Sequence, residues 1–269
     1  MIRLVISNQR GGVAKTTTAV CLARCFAERG LKTLLVDTDS QGSVATILGL
    51  RPEYALHDFL IKQVALKQCV VPAHPNIDVL CSDRKTQAAE DIITGQMLRE
   101  LHFEQVFGES GADRGYDAVV VDVAPSLTLF QTCAMLYTKN VLIPVAMETL
   151  SVQGASASIS SANELNRLFR RDPGITSVGI LPVMVNNRLQ MTQTVMNALL
   201  DMSGELKVPL LPLIRTDTAV VKAARSRMFL ADYDPKSKAK EDYDAAASNL
   251  LARIAPQTVN NETTFQATV

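Results

Sequence analysis

Seven short apolar runs, most of them rich in β-branched residues, recur along this chain and are separated by longer stretches of helical periodicity. The runs are IRLVIS (2–7), KTLLVD (32–37), IDVLCS (77–82), YDAVVVD (116–122), NVLIPV (140–145), SVGILPVMV (177–185) and the shorter VPLLPLI (208–214). Between them, apolar spacing predicts helices over about 16–29, 84–107, 126–137, 150–171 and 190–203, then 217–227 and 238–254. Strands that are apolar throughout must be buried on both faces, and the helices between them supply the cover. The expected architecture is therefore α/β, a mostly parallel central sheet with helices on both faces. Ligands of such sheets bind at the carboxyl ends of the strands.

At 269 residues, with 47% hydrophobic residues, the chain is long enough to bury a sizeable core. One domain is expected over 1–255, followed by a polar, aperiodic tail over 256–269 that is expected to be loosely ordered. The 27 Lys and Arg balance the 27 Asp and Glu, so bulk charge does not attract a polyanion, and any nucleic-acid contact needs a local patch. No apolar run reaches the roughly 18 residues of a membrane span, and the N-terminus does not resemble a signal peptide. The expected compartment is the cytoplasm. Five cysteines occur without a C-x-x-C pair. Cys21 and Cys25 stand four apart on a predicted helix, but buried free thiols are the simpler reading for all five.

The chemistry-bearing residues all fall just after predicted strands. After the first run comes NQRGGVAKTTT (8–18), a glycine loop opening a helix. Backbone N–H groups of such a loop, with a helix N-terminus behind them, cradle phosphate oxygens. Lys15 would reach the β- and γ-phosphates and the Thr16 hydroxyl would bind Mg²⁺. The usual spacing G-x-x-x-x-G-K-[ST] asks for glycine at 9 and 14, where this chain has Gln9 and Ala14. After the second run comes DTDSQGS (37–43), with Asp37 and Asp39 two apart. The run AVVVD ends in Asp122, a carboxylate placed to hold Mg²⁺ directly or through water.

These segments resemble the ParA/MinD family of deviant Walker A ATPases, and within it the Soj-like ParA partition branch. The family loop K-G-G-x-G-K-T-T is matched by Arg10-Gly11-Gly12-Val13-Ala14-Lys15-Thr16-Thr17, D-x-D-P-Q-G-N by 37–43, and D-x-P-P-S by DVAPS (122–126). PVAMETLSVQG (144–154), with Glu148 and Gly154, and the C-terminal region containing YDPKSK extend the similarity along nearly the whole chain. The family places its glycines differently from the standard motif, which accounts for Gln9. Departures are Arg10 for the signature lysine, Ala14 for glycine, Ala124 for proline, and Arg215-Thr216-Asp217 where the family often has Pro-Arg-Asn. If residue 14 needs a left-handed backbone, alanine costs on the order of 1–2 kcal/mol there; otherwise it costs nothing.

The resemblance implies a SIMIBI-class P-loop fold that uses ATP and Mg²⁺. It implies that Lys15 and Arg10 stabilise phosphate charge, Arg10 across an ATP-sandwich homodimer. The backbone of Gly11, Gly12, Val13 and Ala14, with Thr17, would hold phosphate oxygens. Thr16, Asp39 and Asp122 would serve the metal, Asp39 would also position the attacking water, and Asp217 would contact the nucleotide. Slow hydrolysis would be stimulated by a ParB-like or other adaptor protein. Non-specific double-stranded DNA would be held by basic residues such as Arg188, Lys222, Arg225 and Arg227, giving a nucleoid-associated protein. Residues 215–253 hold eight Lys/Arg against six Asp/Glu, a local excess of two. Other readings remain open. A MinD-like membrane cycle needs a basic terminal helix, and 257–269 has no lysine or arginine. An iron–sulfur carrier needs bridging cysteines. A metabolic ATP-dependent enzyme does without a cation crossing between subunits, and a nucleotide-locked scaffold would hydrolyse little.

Overall fold

Alternate residues of each strand enter opposite cores, as a sheet buried on both sides requires. Leu4 and Ile6 pack with one helical layer, while Val5 packs with the other; Val120 and its neighbours Val119 and Val121 divide in the same way. The computed structural model describes residues 1–186 and 188–254. The expected tail over 256–269 lies outside the described residues. The elements run β1 (Ile2–Ile6), α1 (Lys15–Glu28), β2 (Thr33–Asp37), α2 (Ser43–Leu48), α3 (Leu56–Leu60), α4 (Leu66–Cys69), β3 (Val70–His74), β4 (Ile77–Leu80), α5 (Lys85–Thr94), β5 (Ala118–Asp122), α6 (Leu129–Thr138), β6 (Asn140–Ala146), α7 (Thr149–Phe169), β7 (Thr176–Val183), α8 (Gln190–Leu206), α9 (Thr218–Arg225), α10 (Leu230–Tyr233) and α11 (Lys238–Ile254).

The strands form one seven-stranded sheet in the order β3-β4-β2-β5-β1-β6-β7, parallel except for the edge strand β3. α1, α9, α10 and α11 contribute to the core on one face; α3 and α5 to α8 contribute to the other. The expected α/β architecture is present, with three local differences.

The stretch 208–214 does not continue the sheet as a strand. It touches β7 through one isolated parallel bridge, Ile180 with Leu210, and a second, Val185 with Arg215, follows just beyond both segments. Pro209 and Pro212 have no N–H to give to a ladder, so pairing cannot run through them. The seventh strand is β3 instead, an antiparallel edge that tolerates Pro72. Finally, the helix expected over 84–107 stops at Thr94, before Gly95. A 3₁₀ turn (Arg99–Leu101) and a π-helical segment (Glu104–Glu109) follow, with Leu98 left-handed at φ 54° just before the 3₁₀ turn. All five cysteines are buried free thiols.

Candidate functional site

Parallel pairing puts the ends of three strands in line. Ile6 is opposite Asp122, and Asp37 is opposite Asp122 on the other side, so both acids stand at the carboxyl edge beside the loop that leaves β1. Both are fully buried. Their environments differ sharply.

Asp37 is spent on backbone. Its Oδ1 accepts the Asp39 N–H (3.0 Å) and its Oδ2 accepts the Val44 N–H (3.1 Å), which shapes the turn 37–44. Burial and the nearby Asp122 charge push its carboxyl well above the usual carboxylate range, while those two N–H groups pull the other way. Asp122 has neither oxygen hydrogen-bonded among the described residues. Burial raises its pKa; the adjacent Thr16 hydroxyl and Lys15 ammonium oppose this, and Asp39 adds to it. An unsatisfied buried carboxylate is costly and calls for a partner. A magnesium ion fits: it keeps several waters and takes one or two carboxylates, a hydroxyl and phosphate oxygens rather than an all-protein cage. Among the described residues no cluster of three or more His, Cys, Asp or Glu could hold a metal by itself.

The loop between β1 and α1 is built for anions. Gly12 is left-handed at φ 79°, and so is Ala14 at φ 58°, ψ 32°. The conditional cost of alanine at residue 14 therefore applies. Ala14 occupies the N-cap of α1 and offers no side-chain cap, and the first turn has no acidic residue. The first N–H groups of α1 are thus left for a phosphate oxygen and carry the positive end of the helix dipole. Val13 is wholly buried and packs into the core, and it does not line the loop cavity. Lys15 is buried, its Nζ donating to the carbonyls of Asn8 (3.1 Å) and Arg10 (2.8 Å). Burial lowers its pKa, while Asp122 and Asp39 hold it up.

Gly11, Gly12, Ala14, Lys15, Thr16, Thr17 and Asp39 line one cavity of about 310 Å³ together with Ser43, Ile47, Val123 and Pro125. Asp39 is half-buried there, with Oδ1 accepting the Gln41 N–H. Arg10 is exposed and is fixed by its backbone alone among the described residues: its N–H donates to Asn8 Oδ1 and its carbonyl accepts from Lys15. Sequence reasoning did not single out Asn8. It is buried, and its side chain ties the loop to β6 and α7. The signal available was its place, directly between the last strand residues and the glycine loop.

The AAA domain family profile matches residues 1–172, more than half of the 269 residues. The chromosome-partitioning ATPase Soj of Thermus thermophilus is 29% identical over 252 residues, covering 94% of this chain and 96% of that protein. The chain belongs to this AAA domain family, as a ParA/MinD P-loop ATPase.

Two solved structures show how widely the ParA/MinD fold is used. Cobyrinic acid a,c-diamide synthase from Mycobacterium smegmatis, with bound ADP and magnesium, superposes with TM-score 0.78 at 25% identity and covers 93% of this chain and 94% of its own. Apo McdA from Cyanothece reaches TM-score 0.80 at 18% identity, over 93% of this chain and 99% of its own, and bears on the fold alone.

Within this ParA/MinD ATPase the remaining candidate residues are placed less centrally. Asp217 was expected at the nucleotide, but its carboxylate caps helices. Oδ1 accepts the Ala219 N–H (2.9 Å) at the start of α9, and Oδ2 accepts the Ala239 N–H (3.3 Å) in α11. Burial works to raise its pKa, but these donors outweigh it and hold the carboxyl below the usual range. It does not line the loop cavity. Arg215 beside it is held by Asp242 and Glu241. Lys222 and Arg225 project from the exposed face of α9, whose buried face carries Ala219 and Ala223. Arg227 follows in a left-handed turn and packs on Gly49 at the end of α2; Arg188 is exposed just before α8. Among the described residues no helix is long and apolar enough to cross a membrane.

Proposed function

We propose that residues 1–255 form a single ATPase domain of the ParA type, which binds ATP with Mg²⁺ at the loop cavity, closes as a homodimer and holds non-specific double-stranded DNA in that state. The observation that carries the reading is Asp122, a buried carboxylate whose oxygens are unpaired among the described residues and which stands near Thr16, Lys15 and the uncapped start of α1. That arrangement suits a phosphate–metal pair. When bound, ATP·Mg²⁺ supplies the phosphoryl group and a divalent charge for the leaving oxygens. Lys15 neutralises phosphate charge, and the N–H groups of Gly11 to Thr17 hold the oxygens in place. Thr16 and Asp122 hold the metal, and Asp39 orients a water. Arg10, exposed and unengaged through its side chain, reaches the phosphates of a second protomer, where a guanidinium can bind two oxygens at once.

Relatives named as chromosome-partitioning proteins support a role in segregating or positioning DNA or a protein cargo over the nucleoid, in the cytoplasm, with slow hydrolysis stimulated by a ParB-like or other adaptor protein. The M. smegmatis synthase favours a second reading, a metabolic ATP-dependent enzyme on the same fold, which needs neither DNA nor a cation crossing between subunits.

Binding to random-sequence duplex DNA, with ATP or ADP across a salt series, separates the two. The partition reading expects binding with ATP alone that weakens steeply with salt. Absence of DNA binding in both nucleotide states, alongside measurable ATP hydrolysis, would favour the metabolic enzyme.

A further inference from the structure

We propose that Asn8 is a positioning residue for ATP hydrolysis: its side-chain amide fastens the phosphate loop to β6 and α7 and so sets where Lys15 and Arg10 stand. The inference rests on the ATPase reading above.

The sheet itself shows why an amide is needed. β1 and β6 pair in parallel at Val5 with Val141 and Ile6 with Leu142, and the ladder continues with the Ser7 N–H donating to the Leu142 carbonyl (2.9 Å). In a parallel ladder the next donor on this strand is two residues on, so the Gln9 N–H would go to the Pro144 carbonyl. It does not. Gln9 N–H turns to the Gly154 carbonyl at 3.4 Å, and the Asn8 Nδ2 donates to Pro144 O at 2.8 Å in its place. The side chain fills the missing rung while the backbone leaves the sheet to form the loop.

The same amide reaches two further segments. Nδ2 also donates to the Ser151 carbonyl (3.1 Å) in the first turn of α7, and Oδ1 accepts the Arg10 N–H (3.0 Å). The Asn8 carbonyl accepts from Lys15 Nζ. Asn8 is 1% exposed, so water cannot substitute for any of these partners. α7 comes close enough for this only because residue 154 is glycine: a Cβ there would sit 2.3 Å from Asn8 Oδ1 and 3.0 Å from Arg10 N. Aspartate has the same shape and keeps the acceptor for Arg10, but it has no hydrogens for Pro144 and Ser151 and would set a charge against two carbonyls. Lys15, through the Asn8 carbonyl, and the Arg10 backbone, through the Asn8 amide oxygen, are therefore both tied to β6 and α7 by one residue. A misplacement of about 1 Å in such groups costs on the order of 100-fold in rate.

The test compares steady-state hydrolysis and fluorescent-ATP binding for wild type, Asn8→Asp and Tyr116→Phe. Tyr116 donates to Asp78 far along the chain from the loop, and its variant controls for a lost internal hydrogen bond. We expect Asn8→Asp to lower kcat by 30-fold or more with KM and nucleotide affinity changed less than threefold, and Tyr116→Phe to keep kcat within twofold. If Asn8→Asp does not fold, Gly154→Ala presses on the same amide from α7 and is expected to give the same split. An Asn8→Asp kcat within threefold of wild type overturns the proposal, as does a loss carried wholly by KM. A wild type that hydrolyses ATP beside such a variant leaves the ATPase reading intact. A wild type that neither binds nor hydrolyses ATP overturns both.

Discussion

Ala14 holds a left-handed backbone that glycine adopts without penalty, in a loop whose geometry is fixed by what it must present to a phosphate. The left-handed conformation costs an L-residue about 1–2 kcal/mol, and glycine's greater freedom in the unfolded chain returns roughly 0.5–1 of that. Ala14→Gly is therefore expected to raise stability by about 0.5–1 kcal/mol in urea melts with an unchanged m-value; a loss of stability would show that the Ala14 methyl packs usefully. Asp122 offers a second residue-scale test, in protein free of nucleotide and Mg²⁺. Its pKa is raised in the folded state, first by burial. A carboxyl so raised contributes its stability below its unfolded pKa and loses it as pH climbs through the folded one. Asp122→Asn removes the buried charge, whose desolvation Lys15 and Thr16 offset only in part, so at pH 8 the variant should be more stable than wild type by about 1–3 kcal/mol. The gain should shrink as pH is lowered towards 4, where wild type is itself neutral. Equal gains at both pH values, read by thermal melts, would show that charge is not the cause.

Elements were legible where burial imposes a pattern. The six strands from IRLVIS to SVGILPVMV were read from apolar runs because both faces of each are covered, and the strand-end acids Asp39 and Asp122 could be placed from the same runs. The losses have a common origin in backbone that periodicity does not record. β3 is half-buried and breaks its register between Pro72 and His74; α2, α3 and α4 are four to six residues long, too short to show a helical repeat. VPLLPLI has the composition of a strand, but two prolines interrupt its donors. Asn8 was missed because nothing in its local spelling shows that a side chain will complete a ladder with a segment 136 residues away. Where 208–214 lies against β7, a Cβ on Gly179 would come within 2.6 to 3.0 Å of the Leu211 side chain. Gly179→Ala is therefore expected to cost about 1–3 kcal/mol by overpacking, measured in urea melts. Addition of a Leu211→Ala change should restore part of it, and two independent losses that simply add would argue against the contact.

At the scale of the whole molecule, the formal charge of zero makes DNA binding by a lone protomer weak, because no general field draws it to a polyanion. Two protomers side by side double the phosphate contacts without changing the net charge, and log K falls with log salt at about 0.9 per phosphate neutralised. If the proposed ATP dimer binds DNA, its ATP and ADP states should therefore differ in slope as well as in affinity. Lys222 and Arg225 stand exposed on one helix, so the double change Lys222→Ala, Arg225→Ala removes four cations from a dimer. If all four meet phosphate, the slope in ATP should become shallower by about 3–4. Arg10→Ala acts upstream of this. On the proposed reading, in which Arg10 crosses between protomers, it should leave the protein monomeric with ATP in light scattering and abolish ATP-dependent DNA binding, while ADP-state behaviour is unchanged. The two variants separate pairing from contact: the helix variant should still dimerise with ATP, and the loop variant should not. A helix variant that keeps the wild-type slope would move the DNA surface away from α9. A loop variant that still pairs with ATP would show that Arg10 does not cross to the second protomer.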